Sequence, residues 1–182
     1  TTGEALASHP LTVTNTGKEP ISANVTTVAA PSSPLPAGGD GFTIERSYYT
    51  RDGEEANVSE AKQNERYVVV LHVVANNDWP QRILVTDLPA GFEIDNPSMV
   101  SSAQLTNFDW LTDIQPAHVE FRADRFVTAF DLPSGSERDL TFAYVVRAVT
   151  PGTYDHPAAS VEDMYRPQFS ARTAMGRMEV VR

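Results

Sequence analysis

Cysteine is absent from the 182 residues. That excludes a disulfide framework, a thiolate nucleophile and a Cys-based zinc site. It removes one mark of an oxidising compartment without arguing for the cytosol. Positive charge is scarce, with 14 Lys+Arg against 24 Asp+Glu and a formal net charge of -10. No basic cluster offsets the deficit locally, and such a surface repels phosphate, so no nucleic-acid partner is expected. No apolar run approaches the roughly 20 residues of a membrane span, so no membrane insertion is expected of this segment. No signal peptide is visible, and the Thr-Thr-Gly start is the one expected of an excised fragment.

Catalytic signatures are missing too. The four histidines, His9, His72, His118 and His156, have no zinc-like spacing, and there is no H-E-x-x-H. No G-x-S-x-G and no phosphate-binding glycine loop occurs. The Gly38-Gly39-Asp40-Gly41 piece is too short for a calcium repeat. The acidic pairs Glu54-Glu55 and Glu162-Asp163 are expected to be solvated, and His72 to be a neutral, hydrogen-bonded residue of a buried strand. No metal, no cofactor and no enzymatic activity are expected.

What the chain does have is alternation. Tyr67, Val69, Leu71 and Val73 share one strand face, and Val68, Val70, His72 and Val74 take the other, so this strand reads as central and buried on both sides. Leu140, Phe142, Tyr144 and Val146 form a second face, and Phe126, Thr128, Phe130 and Leu132 a third. Ile83 to Leu88 is a further short strand, stopped by Pro89-Ala90-Gly91. Turn residues recur at Asp52-Gly53, Asn76-Asn77-Asp78, Pro133-Ser134-Gly135 and Met175-Gly176. The fold class is all-β, an antiparallel β-sandwich. Residues 96–114 are ambiguous: Asn96-Pro97 could open a helix, while the Thr-Asn-Phe-Asp-Trp stretch fits a loop.

The linker-like stretch from Pro31 to Gly41 holds three Pro and three Gly, which disfavour helix and central strand. Before it, Leu11 and Val13 lead into Asn15-Thr16-Gly17-Lys18, and Ile21, Ala23 and Val25 leave it, as in a short β-hairpin. Two strands alone are marginal in water, so this unit needs a partner sheet. A boundary falls near residue 38.

One run fits neither a plain strand nor a solvated loop: Val161-Glu162-Asp163-Met164-Tyr165-Arg166-Pro167. With Arg147 to Tyr154 before it, it resembles the C-terminal end of bacterial α2-macroglobulins. Three other segments are similar to the same family in the same order: Leu11–Pro20, Phe42–Thr50 and Asp87–Pro97. The resemblance implies two pieces. Residues 1–38 would be the last strands of a linking (CUB-like) domain, and residues 39–182 a C-terminal macroglobulin-like domain. The parent would be a broad-spectrum protease inhibitor of the bacterial envelope, periplasmic, with any anchor in its absent N-terminus. In most members an internal Cys-Gln thioester bonds the attacking protease after a bait region is cut.

The partners implied are the thioester domain of the same parent chain and, through the parent, the target proteases. By resemblance Met164 would lie over the thioester with Tyr165 supporting it, while Glu162 and Arg166 would set the loop by hydrogen bonds. Met fills irregular gaps and Tyr supplies a ring with one polar end. Tyr48 and Tyr49 are adjacent, so their rings face opposite sides of a strand, one core and one exposed or interfacial. On fold class alone, the alternative is an envelope adhesion or carbohydrate-binding sandwich with a face lined by Trp79, Trp110 or Tyr48.

Overall fold

In the computed structural model the described residues are 12–24, 26, 33, 35–76, 82–87, 90–95, 107–111, 115–122 and 124–182. Backbone contacts divide the chain into two units, Thr1–Ser33 and Pro34–Arg182. In the first unit, Asn15 organises a turn. Its Oδ1 accepts from the Gly17 amide at 2.9 Å and its Nδ2 donates to the Glu19 carbonyl at 2.8 Å. Residues 12–24 carry no strand around it, and the expected hairpin's outer residues Leu11 and Val25 lie outside the described set.

The second unit is all strand, with no helix among its described residues. Its centre is β4 (Arg66–Ala75), flanked by β2 (Phe42–Tyr49) and β9 (Asp139–Ala148), with β6 (Phe92–Ile94) outside β9. Register places Val69 between Tyr48 and Tyr144, and Leu71 between Arg46 and Phe142. A second sheet has the order β1 (Gly38–Asp40), β12 (Arg166–Arg172), β11 (Ser160–Asp163), β5 (Arg82–Asp87), β8 (Phe126–Asp131), β7 (His118–Phe121). A third joins β10 (Gly152–His156), β13 (Gly176–Val181) and β3 (Glu60–Lys62). The ladders are antiparallel except β3–β13, which is parallel and departs from a purely antiparallel sandwich.

The alternation explains the core. Tyr67, Val69, Leu71 and Val73 of β4 meet Phe142, Tyr144, Ile83, Val85, Phe126 and Phe130 in one cluster. Each such side chain, once buried, contributes about 1.5–3 kcal/mol. The opposite face of β4 is covered only in part. Val68 and Val70 pack with Ala143, Val145, Phe108 and Leu111, the last two delivered by a turn at residues 107–111. That turn bears out the loop reading of this stretch; residues 96–106 lie outside the described set. Among the described residues that cover does not extend further along the face. His72 is therefore not buried: its side chain is 38% exposed, and Nε2 meets Asp139 Oδ1 at 2.6 Å.

Entry into the sheet depends on one glycine. A Cβ on Gly39 would sit 2.2 Å from the Ser170 carbonyl oxygen, so only glycine lets β1 lie this close against β12. Arg172 Nε donates to the Pro36 carbonyl at 3.1 Å beside this contact.

Candidate functional site

The Met-Tyr pair forms the tip of the β11–β12 hairpin. Along β11, Val161 faces inward, and Asp163, two residues on, faces inward as well and is fully buried. Its Oδ1 accepts from the amides of Tyr165 at 2.9 Å and Arg166 at 3.2 Å. Its Oδ2 accepts from Arg166 Nε at 3.2 Å and Nη2 at 3.0 Å. Four donors from the turn thus satisfy the buried carboxylate's acceptor sites. On the other side of the turn, the Met164 amide donates to the Arg82 carbonyl at 3.1 Å. The tip backbone is thus fixed from two directions, while Met164 and Tyr165 remain 46% and 68% exposed.

This arrangement revises one expectation. Asp163 is not half of a solvated acidic pair; it is the buried acceptor around which the turn closes. Arg166 takes part in fixing the loop from within the hairpin, with Asp163 as its carboxylate. Glu162 occupies a half-buried ladder position between Leu84 and Ser170, and the hydrogen bonds that shape the turn are made by its neighbour. The signal was legible in principle, because Asp163 shares strand parity with Val161.

Tyr165 also borders an open cleft of about 420 Å³ lined by Arg82, Asp131, Pro133 and Ser134. Arg82 and Asp131 are register partners across β5 and β8, and Arg82 Nε meets Asp131 Oδ1 at 2.5 Å. The hydrogen bond from Arg82 holds the Asp131 carboxyl below its usual range.

The two other tyrosines separate as parity requires. Tyr48 is core: it stacks on Phe92 at 5.9 Å, and its hydroxyl meets His156 Nε2 at 2.7 Å. It offers no surface for a partner or a glycan. Tyr49 is half-buried, 5.6 Å from both Phe108 and Trp110. Trp110 is 49% exposed, and Trp79 lies outside the described residues.

A second polar cluster lies inside the core. Arg46 of β2 and Asp87 of β5 form an ion pair at 2.5 Å, with side chains 6% and 0% exposed. Tyr144 of β9 donates to the other Asp87 oxygen at 2.6 Å. Burial pushes the Tyr144 phenol well up, as does the Asp87 charge. Burial, reinforced by the Arg46 cation, lowers His156 to about 3, so the ring is neutral. The cluster joins strands of all three sheets at one place. Sequence reading missed it, although Asp87 follows Ile83 and Val85 at even spacing. Among the described residues no group of three or more His, Asp or Glu is arranged to hold a metal.

Comparison with known proteins adds the family. A model described as the bacterial alpha-2-macroglobulin MG10 domain matches residues 41–168. The chain is 36% identical to the alpha-2-macroglobulin of Escherichia coli K12 over 182 residues, covering 94% of this chain and 11% of the relative. It is 33% identical to that of Xylella fastidiosa 9a5c, covering 91% and 10%. Among solved structures, Salmonella alpha-2-macroglobulin reacted with methylamine superposes with a TM-score of 0.72 at 35% identity, over 84% of this chain and 10% of that one. Escherichia coli alpha-2-macroglobulin activated by porcine elastase gives 0.70 at 31% identity, over 84% and 14%. The chain therefore spans about a tenth of the length of these curated relatives. Matched span, identity and superposition lead to one family: this chain belongs to the bacterial alpha-2-macroglobulin MG10 domains, which are non-catalytic macroglobulin-like domains.

Proposed function

We propose that this chain is the C-terminal macroglobulin-like part of a periplasmic, protease-trapping inhibitor, and that its hairpin tip shields a thioester on another domain of the same parent. Residues 39–182 form the shielding domain, and residues 1–38 are the end of the linking domain. The observation that carries the reading is the tip itself. Two large side chains, Met164 and Tyr165, are held outward by a turn locked on a buried carboxylate. A docking element gains preorganisation, because little loop freedom is left to lose on contact.

The chemistry fits the residues. A thioester survives only where water is kept out. Met supplies a soft, adaptable cover, and Tyr a flat ring with a polar end that can stay at the rim. Covering a half-exposed Met is worth on the order of 1 kcal/mol, a seam that a large rearrangement can break. The target proteases would meet the parent rather than this domain. The carbohydrate-binding alternative loses one of its three aromatic residues with the burial of Tyr48.

The test is thiol release from the parent protein on adding methylamine, comparing wild type with Met164→Ala. Faster spontaneous loss of the thioester in the variant is the expected result. An unchanged rate would reduce Met164 to packing. No releasable thiol in either protein would make the domain scaffold only.

A further inference from the structure

We infer that the docking surface does not stop at the hairpin but continues into the adjoining cleft between Tyr165 and the β8–β9 turn, which receives an uncharged segment of the parent polypeptide. The inference rests on the shielding reading for the identity of the occupant, and on the cleft for its place and chemistry.

Three observations carry it. First, Tyr165 belongs to both features: it is half of the tip and one wall of the cleft. Tyr165 is 68% exposed, so a partner that covers it from the cleft side meets the cleft mouth. Second, the cleft's charges are already spent on each other. Arg82 and Asp131 pair at 2.5 Å across neighbouring strands, so the described residues of the lining carry no net charge. Such a lining draws in neither a free anion nor a free cation. It can still exchange hydrogen bonds with a peptide group, a carboxamide or a hydroxyl. Pro133 and the Tyr165 ring supply apolar contact, and Ser134 a further hydroxyl, so the lining suits a mixed, neutral protein surface. Third, the relatives extend about tenfold beyond this chain, so most of the parent's surface lies elsewhere in the same polypeptide. A tethered partner needs no high intrinsic affinity, because its effective concentration is set by the chain that joins it.

The geometry also shows how the floor and the tip are coupled. Arg82 gives its side chain to the cleft and its carbonyl to the Met164 amide. A segment seated in the cleft would therefore press on the residue that fixes the tip. That makes Arg82 a positioning residue common to both parts of the surface.

The absence of cysteine provides the probe. Ser134 is exposed on a turn outside the core, so Ser134→Cys places a single thiol in this chain at the cleft rim. Its modification by a polyethylene-glycol maleimide would be followed on the tryptic peptide, in the 182-residue chain and in the full parent. The expected result is ready labelling in the short chain and labelling at least about tenfold slower in the parent, because reagent reaches a covered site only through an open state. Cleavage of the parent by a trapped protease should restore the fast rate. Equal rates in the short chain and the uncut parent would overturn the inference. Met164→Ala separates the two failures. If that variant loses its thioester faster while Ser134→Cys labels equally in both proteins, the shield stands and the cleft is outside it. If Ser134→Cys is protected but Met164→Ala is silent, the cleft is a docking surface and the shield reading falls.

Discussion

Acid should weaken this domain through His156 more than through any surface group. The side chain is 7% exposed, its Nε2 lies 2.7 Å from the Tyr48 hydroxyl, and the Arg46 cation occupies the same cluster. Burial first, and that cation second, lower the histidine from 6.5 to about 3. In the unfolded chain it takes up a proton near 6.5; in the folded chain it does not until about 3. The unfolded state therefore binds more protons throughout that window. Stability is fully present above 6.5, falls as pH drops, and stops falling near 3, with a slope approaching about 1.4 kcal/mol per unit. At pH 5 the loss relative to pH 8 is about 2 kcal/mol, a shift of roughly 1 M in a urea midpoint for a domain of this size. The assay is urea unfolding of the 182-residue chain by circular dichroism at pH 8 and pH 5, for wild type and His156→Gln. Glutamine can still accept from Tyr48 but cannot titrate. The variant should lose about 2 kcal/mol less between the two pH values, whatever its stability at pH 8. Parallel losses would show that the ring is hydrated or already protonated in the fold, and the reasoning would fail.

Asp87→Ala should be the most damaging single change in the core. It leaves the Arg46 guanidinium buried without its carboxylate, at a cost of about 3–5 kcal/mol, measurable as a lower urea midpoint; a change under about 1 kcal/mol would mean Arg46 finds water. Asp163→Ala should speed amide exchange at Tyr165 and Arg166 by more than about tenfold, while the β4 amides keep their rates. Uniform acceleration across both would place Asp163 in global stability rather than in the tip.

The sheet centre was legible because parity is a strong signal. Tyr67 to Val73 on one face, Phe126 to Leu132, and Leu140 to Val146 all lie where alternation puts them. What failed was the inference from neighbours. The apolar strand around His72 predicts burial, yet among the described residues the cover over that face comes from Phe108 and Leu111, which pack with Val68 and Val70. That cover is a tertiary fact with no local signature. Two acids beside a turn predict solvation for Asp163, although its parity with the buried Val161 points inward. The parallel β3–β13 pair could not be foreseen from a three-residue strand with no alternation to show. At the candidate site, the Met-Tyr tip was recognised by resemblance, while the carboxylate that fixes it and the cleft beside it emerged only in three dimensions.

The largest sheet ends on β1 and β7. β1 is three residues long, two of them glycine and the third Asp40; β7 is four long, carries His118 and Glu120, and is followed by Arg122. Short, charged borders are poor templates for a stray strand from another molecule. A sandwich with such borders is thereby protected from pairing with a stray strand. Its borders resist aggregation even though Met164 and Tyr165 stand exposed at the hairpin tip.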